Sequence, residues 1–221
     1  MTHLDSEIQQ LKEELINMWS LVRSQLTKSR DALVNFDKDQ AWEVLANEKR
    51  VNALELKIDR DSENIIALFN PVAVDLRFVL AVLKINNNLE RTGDIAEGIA
   101  RFVVNSTNRI DEELFRESKI LVMYEEAISM LSDVLRAFGD EDTKLARSIF
   151  KRDEILNNIN LEANHVISNY IRQHHENIEE ALYALSTVRK VERVGDQCKN
   201  MAEEIIFYVE AKVLRHKENK S

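Results

Sequence analysis

A single proline and four glycines punctuate 221 residues, and this scarcity constrains the fold more than any other feature. Sheets and short mixed elements need frequent turns, which glycine and proline mostly supply. Long helices do not. Apolar residues recur at helical spacing along most of the chain. Leu4, Ile8, Leu11, Leu15, Met18, Val22 and Leu26 step by fours and threes, drawing one stripe on a first helix that ends near Phe36. The stretch Asp37 to Gln40 breaks the pattern and offers capping oxygens. A second helix is expected from about Ala41 to Phe69, ended by Asn70-Pro71 because a residue before proline avoids the α region. A third continues to about Val104.

The polar stretch around Asn108 divides the chain into 1–108 and 109–221. Leu114, Leu121, Ile128, Leu131, Leu135 and Phe138 mark a fourth helix, with Gly139-Asp140 as its stop. A fifth spans about Asp142 to Arg172, and a sixth about Ile178 to Leu214. The tail from Arg215 to Ser221 is expected to fray. Each half is therefore three long helices. The predicted fold is all-α: two tandem three-helix bundles related by an internal repeat of about a hundred residues.

Two of the four glycines occupy one repeated element. "NLERTGDIAEGIA" (Asn88 to Ala100) and "KVERVGDQCKNMA" (Lys190 to Ala202) both carry Glu-Arg-x-Gly-Asp inside a helical pattern. A glycine costs a helix interior about 1 kcal/mol relative to alanine. Its retention beside the same charged residues points to a close approach by a neighbouring helix or an ion. In the sixth helix Ile178, Ala181, Leu185 and Val188 lead into Glu192 and Asp196. In the third, Val72, Leu76, Val79 and Leu83 lead into Glu90, Asp94 and Glu97. Carboxylates one turn apart lie about 6 Å apart along the axis and can share a cation.

The second helix offers Glu48, Asn52 and Glu55 in the sector of Ala41, Val44 and Val51. Their counterparts in the second half are Asp153, Asn157 and Asn160. Oxygen ligands of this kind suit hard or borderline cations such as Mg²⁺, Mn²⁺ or iron. The alternative is a solvated acidic face, with Ile95, Ile99 and Val103 forming the true core side of the third helix.

Bulk properties narrow the function. Hydrophobic residues make up 44% of the chain and charged residues 31%, as in a globular protein. A net charge of −9 argues against nucleic-acid binding, which needs a basic face. One cysteine, Cys198, excludes an internal disulfide and a cysteine zinc cage, and points to a reducing compartment. It reads as a small packed residue. No signal peptide or membrane span is visible, so any membrane role is peripheral. Nucleophile elbows, phosphate loops and paired Glu-x-x-His elements are missing, so the chain is not expected to be an enzyme. The single Glu162-x-x-His165 reads as a helix-surface pair. Trp19 and Trp42 are expected as core anchors, and His174 and His175 as exposed turn residues. Met18 and Trp19 on the first helix, with the apolar sides of such bundles, suggest a homodimer.

The signature stretches "DLRFVLAVLKINNNLERTGDIAEGIA" from Asp75 and "ALYALSTVRKVERVGDQCKNMAEEIIFYVEAK" from Ala181 resemble the two signature helices of the PhoU family, bacterial regulators of phosphate-specific transport. The resemblance covers nearly the whole chain, including Pro71 before Asp-Leu-Arg. It implies a cytoplasmic, non-enzymatic negative regulator of phosphate uptake and phosphate-starvation signalling. Its implied partners are a phosphate ABC transporter, through its ATPase subunit, and a sensor histidine kinase; contact with the membrane is through them alone. It also implies metal clusters of divalent or iron cations (Fe, Mn, Mg or Zn). By position, Glu90, Asp94, Glu192 and Asp196 match the motifs of the third helix of each half, and Glu48 and Asp153 open those of the second. Asn52 and Asn157 stand where the family has a further carboxylate; amide oxygens can ligate a cation but bring no charge. The alternatives are a metal-free helical scaffold and an accessory regulator of a different phosphate transporter.

Overall fold

The computed structural model describes residues 2–214. The described chain is helical nearly throughout: α1 (His3–Asn35), α2 (Lys38–Phe69), α3 (Ala73–Asn105), α4 (Glu112–Ser118), α5 (Ile120–Asp140), α6 (Thr143–Gln173) and α7 (Ile178–Glu210), with a 3-10 turn at His175–Asn177. The expected fraying at Arg215 to Ser221 lies outside the described residues.

Local chemistry sets the helix ends. Thr2 and Asp5 form a reciprocal capping box that opens α1. Asp37 caps α2 by accepting from the backbone N–H of Gln40 at 3.0 Å, as expected of that acidic stretch. Asp142 does the same for α6, accepting from Lys144 and Leu145. In both halves one left-handed residue, Phe36 or Glu141, separates the two helices from the capping aspartate. The expected stop at Gly139-Asp140 is therefore displaced. α5 runs through both residues and reverses at Glu141 (φ 55°), because the reversal must fall next to the cap.

The predicted fourth helix is two. Lys119 adopts φ 55° and separates α4 from α5. A left-handed lysine costs about 1–2 kcal/mol. The break lets Leu114 and Phe115 on one side, and Ile120 and Met123 on the other, all reach the interior. α7 stops at Glu210, short of the expected Leu214; both oxygens of Glu210 are held by Arg147 at 3.0 Å.

α1, α2 and α3 pack on one another, as do α5, α6 and α7. The halves join along α3 against α7 and α1 against α5, leaving α2 and α6 on the outside. The buried apolar side chains form one continuous core. Ile95, Ile99 and Val103 belong to it, so this is the core side of α3. An aromatic cluster fills the seam: Phe138 of α5 meets Trp19 of α1 (5.9 Å between ring centroids), Phe78 of α3 (6.0 Å) and Tyr208 of α7 (6.1 Å). The Trp19 indole N–H donates to the Leu131 carbonyl of the other half at 3.1 Å.

Trp19 is thus a core anchor, and Trp42 is not. Trp42 is 57% exposed, because Ala41, Val44, Glu48 and Val51 define the buried face of α2 and Trp42 sits one residue, about 100°, off it. Met18 and Trp19 are spent inside the chain, so neither is available to a homodimer. His175 is exposed, but His174 is only 27% exposed, stacks on Tyr170 and lies 3.7 Å from Glu113. Cys198 is buried. Glu162 and His165 are exposed as expected, but each is partnered elsewhere: Glu162 lies 3.6 Å from Lys119 Nζ, and His165 Nε2 lies 3.0 Å from Asn169 Nδ2.

Phe138 meets Trp19, Phe78 and Tyr208, the other three rings of this cluster, so Phe138→Ala is expected to cost about 3–5 kcal/mol. Urea denaturation should show this as a lowered midpoint shared by both halves. A loss confined to residues 109–214 by hydrogen exchange would show instead that the halves are stable independently.

Candidate functional site

Each copy of the repeated element lies on the side of its helix that faces the second helix of its own half. In the first half Gly93 opens the contact. A Cβ built there would stand 3.3 Å from Glu48 Oε2, 3.3 Å from Val51 and 3.5 Å from Gln25 Oε1. In the second half a Cβ on Gly195 would stand 2.5 Å from Leu156 Cδ1 and 2.9 Å from Asp153 Oδ1. The glycines therefore do what their retention suggested. Each lets the outer helix press a carboxylate against the backbone of the inner one.

Glu48 is 6% exposed. Its Oε2 accepts a long hydrogen bond from Gln25 Nε2 (3.4 Å), while Oε1 has no hydrogen-bond partner among the described residues. Burial, then the Asp94 charge, with smaller contributions from Glu97 and Glu90, pushes its carboxyl up to about 7. Glu55 is raised by burial and by Asp59 and Asp94, and Glu90 by burial and by Asp94 and Glu55. Glu48, Glu55, Glu90 and Asp94 thus form one mutually repelling acidic face between α2 and α3. Asn52 is exposed beside it. Glu97 is diverted to an ion pair with Arg101 one turn away. Gln25, buried in α1, was not visible as a site residue. The only signal was a polar side chain next to Leu26 on an otherwise apolar stripe.

The second half repeats the frame with different electrostatics. Asp153 is 2% exposed; its Oδ2 accepts from Asn157 Nδ2 at 3.1 Å and lies 3.8 Å from Lys199 Nζ. Glu192 is raised by burial, Asp196 and Asp153, an effect opposed by Arg193 and by a hydrogen bond from Asn160. Asp153, Asn157, Glu192 and Asp196 are therefore brought together, with a lysine among them.

The donor chemistry of the first half suits a hard divalent cation: several carboxylates, two orphaned buried oxygens, Glu48 Oε1 and Gln25 Oε1, and no lysine paired into the face. The geometry does not assemble a cluster. Among the described residues no three carboxylate, imidazole or thiolate groups converge closely enough to hold an ion.

The raised carboxyls carry a pH signature. A carboxyl whose pKa is higher folded than unfolded contributes stability below its unfolded value, near 4.5, and loses it as pH rises through the folded value. Chelator-treated protein should thus lose thermal stability between pH 5 and 7.5. Glu48→Gln should flatten that decline, raising stability at pH 8 by about 1–3 kcal/mol with little effect at pH 5. Parallel curves for the two proteins would show that Glu48 is not strained.

Comparison with known proteins shows the family of the chain. The PhoU domain profile matches the chain twice, over residues 15–103 and 120–205. The chain is 32% identical over 212 residues to the phosphate-specific transport system accessory protein PhoU of Edwardsiella tarda, covering 96% of this chain and 86% of that one. It is 33% identical over 216 residues to a PhoU homolog from a Burkholderia species, covering 97% and 92%. The crystal structure of PhoU from Pseudomonas aeruginosa superposes with a TM-score of 0.87 at 26% identity, over 95% of this chain and 100% of that one. The phosphate transport system regulatory protein PhoU from Streptococcus pneumoniae gives 0.83 at 25%, over 96% and 99%. With its domain matched in both halves and its length spanned by these relatives, the chain belongs to the PhoU family.

Proposed function

We propose that this protein is an accessory regulator of phosphate-specific transport that represses phosphate uptake and phosphate-starvation signalling when phosphate is plentiful. The observation that carries the reading is the doubled Glu-Arg-x-Gly-Asp element inside two PhoU domain matches. Relatives covering nearly the whole chain are named for that transport system. The protein acts by contact rather than by catalysis. Its partners are the ATPase subunit of a phosphate ABC transporter and a sensor histidine kinase, met at the cytoplasmic side of the membrane. No helix among the described residues is long and apolar enough to cross a membrane, in keeping with attachment through partners. The two repeats, 1–108 and 109–221, present related but unequal surfaces. Self-association falls to outward side chains such as Trp42 and Leu56 on α2, 57% and 64% exposed.

Deleting the gene should derepress phosphate-scavenging genes in high phosphate, measured as transcript level and phosphate uptake. Unchanged expression and uptake would overturn the reading.

Metal binding belongs to the same proposal, in the first half. Glu48, Glu55, Glu90 and Asp94 would hold a divalent cation after side-chain rearrangement, with Asn52 as a neutral neighbour. The bound cation would relieve the repulsion that raises Glu48, Glu55 and Glu90. In the second half Lys199 already supplies positive charge beside Asp153, and a lysine in the shell opposes a cation. Glu90→Gln with Asp94→Asn should lower the metal content of protein purified without chelator, and Glu192→Gln with Asp196→Asn should lower it less. Elemental analysis and the Mn²⁺-dependent shift in melting temperature give two readouts. If neither pair changes either one, the acidic faces work without an ion, as docking surfaces.

A further inference from the structure

The seam between α3 and α7 holds two crevices that the internal repeat relates to each other. When the halves are aligned on Glu90 and Glu192, Gly98 falls on Asn200, Lys190 on Asn88, Arg101 on Glu203, Phe102 on Glu204 and Ser186 on Lys84. The first member of each pair lines one crevice, of about 220 Å³. Lys84, Glu203 and Glu204 line the other, of about 150 Å³.

The two have opposite character. In the smaller one, Lys84 Nζ lies 2.9 Å from Glu204 Oε2, and Asn200 Nδ2 donates to Asn88 Oδ1 at 3.4 Å. Cation and acid meet within the crevice, and the equivalent of the Gly98–Lys190 contact is closed by two amides. In the larger one, Gly98 leaves room that Lys190 takes. A Cβ on Gly98 would stand 2.7 Å from Lys190 Nζ, so the ammonium rests directly on the backbone of α3. Among the described residues it has no ion-pair partner. Arg101 lines the same cleft, with Asn105 and Ser186. The buried Thr187 hydroxyl is spent on the Tyr183 carbonyl at 2.9 Å, and the Phe102 and Tyr183 rings, 3.8 Å apart by centroid, form an apolar wall. The one carboxylate tied to this cleft is Glu97, paired with Arg101.

The Lys190 ammonium, half-buried in a cleft whose one carboxylate is already paired with Arg101, is left with a charge to be balanced. A guanidinium beside it adds a planar fork of donors suited to phosphate-type oxygens. The equivalent crevice shows that the helix packing does not require this charge: the same backbone frame there carries glutamates and amides. We propose that the α3–α7 cleft at Lys190 and Arg101 binds a tetrahedral oxyanion, either free orthophosphate or the phosphoryl end of a larger molecule. Lys190 supplies the fixed charge and Arg101 the directional contact, with the Ser186 hydroxyl and Asn105 amide as further donors. The oxyanion competes with Glu97 for Arg101. The site straddles the junction of the two halves, so an occupied cleft draws α3 and α7 together.

Calorimetric titration of the purified full-length protein tests this, in chloride buffer with a chelator so that no cation at the acidic faces carries the anion. The probes are orthophosphate and ATP. Saturable one-to-one binding is expected with at least one probe, weakening as ionic strength rises. Orthophosphate alone would identify the free ion; much tighter ATP binding would identify a phosphoryl end. Lys190→Gln should weaken binding at least tenfold, and Gly98→Ala, which dislodges the ammonium while keeping its charge, severalfold. Lys84→Gln in the equivalent crevice should leave it unchanged. Circular dichroism establishes that each variant is folded. Absence of saturable binding by either probe overturns the proposal, as does binding that survives Lys190→Gln or is lost equally with Lys84→Gln. The titration needs neither transporter nor kinase, so its failure is distinct from failure of the regulatory reading.

Discussion

Where a charged side chain from a neighbouring helix presses on the backbone of α3 or α7, a glycine receives it. Glu48 meets Gly93, Asp153 meets Gly195 and Lys190 meets Gly98. Each glycine gives up about 1 kcal/mol of helix propensity and forgoes a side chain in the interior. What it provides is a gap in which an ionisable group lies against the helix instead of being turned to solvent. Both acidic faces and the basic cleft follow from that one steric device. An alanine at Gly195 would meet Leu156 at the heart of the second half, whereas at Gly93 it would meet the ends of Glu48, Val51 and Gln25 at looser distances. The first half therefore has more room beside its carboxylate than the second.

The seam that carries these helices is itself a product of duplication. Trp19 donates across to Leu131, and its repeat counterpart Tyr124 reaches back to Ser29 at 3.3 Å. Ser29 in turn bonds the carbonyl of Leu26, the counterpart of Leu131. One contact is thus made twice across the seam, with different side chains. The aromatic cluster around Phe138 welds the halves into a continuous core, so a change at one face is felt through packed side chains rather than across a flexible linker.

Much of this was legible in the sequence, because helices announce themselves by period. The stripe from Leu11 to Leu26, the cap at Asp37, the stop at Asn70-Pro71 and the role of the two repeated glycines all follow from local rules. The misses have a common cause: a tertiary contact outweighed a local preference. Lys119 and Glu141 are left-handed without being glycine, because burial on both sides or an adjacent cap offsets the strain. Trp42 is as apolar as a core residue but stands one position off the buried face. The acidic faces were visible as residue types at a spacing. Whether carboxylates converge or merely adjoin depends on rotamers and on partners such as Gln25, Asn160 and Lys199, brought in from a neighbouring helix or one turn further along. Nothing in a single helix's pattern specifies those.

The second half shows what relief of the strain looks like. Lys199, Asn157 and Asn160 surround Asp153 and Glu192, supplying from within the chain the charge and hydrogen bonds that the first half lacks around Glu48. The seam shows the reverse asymmetry: the crevice lined by Lys84 and Glu204 is internally neutralised, and the one lined by Lys190 is not. Buried charge without a partner is costly in either sign. At each pair of equivalent sites one copy is compensated from within the chain and the other is not. An unneutralised acidic face and the unpaired Lys190 ammonium of α7 therefore both abut one inner helix, α3, a turn apart at Asp94 and Gly98. The acidic face lies within the first half, between α2 and α3, and the unpaired Lys190 lies at the seam between α3 and α7, so charge of opposite sign borders α3 on two of its sides.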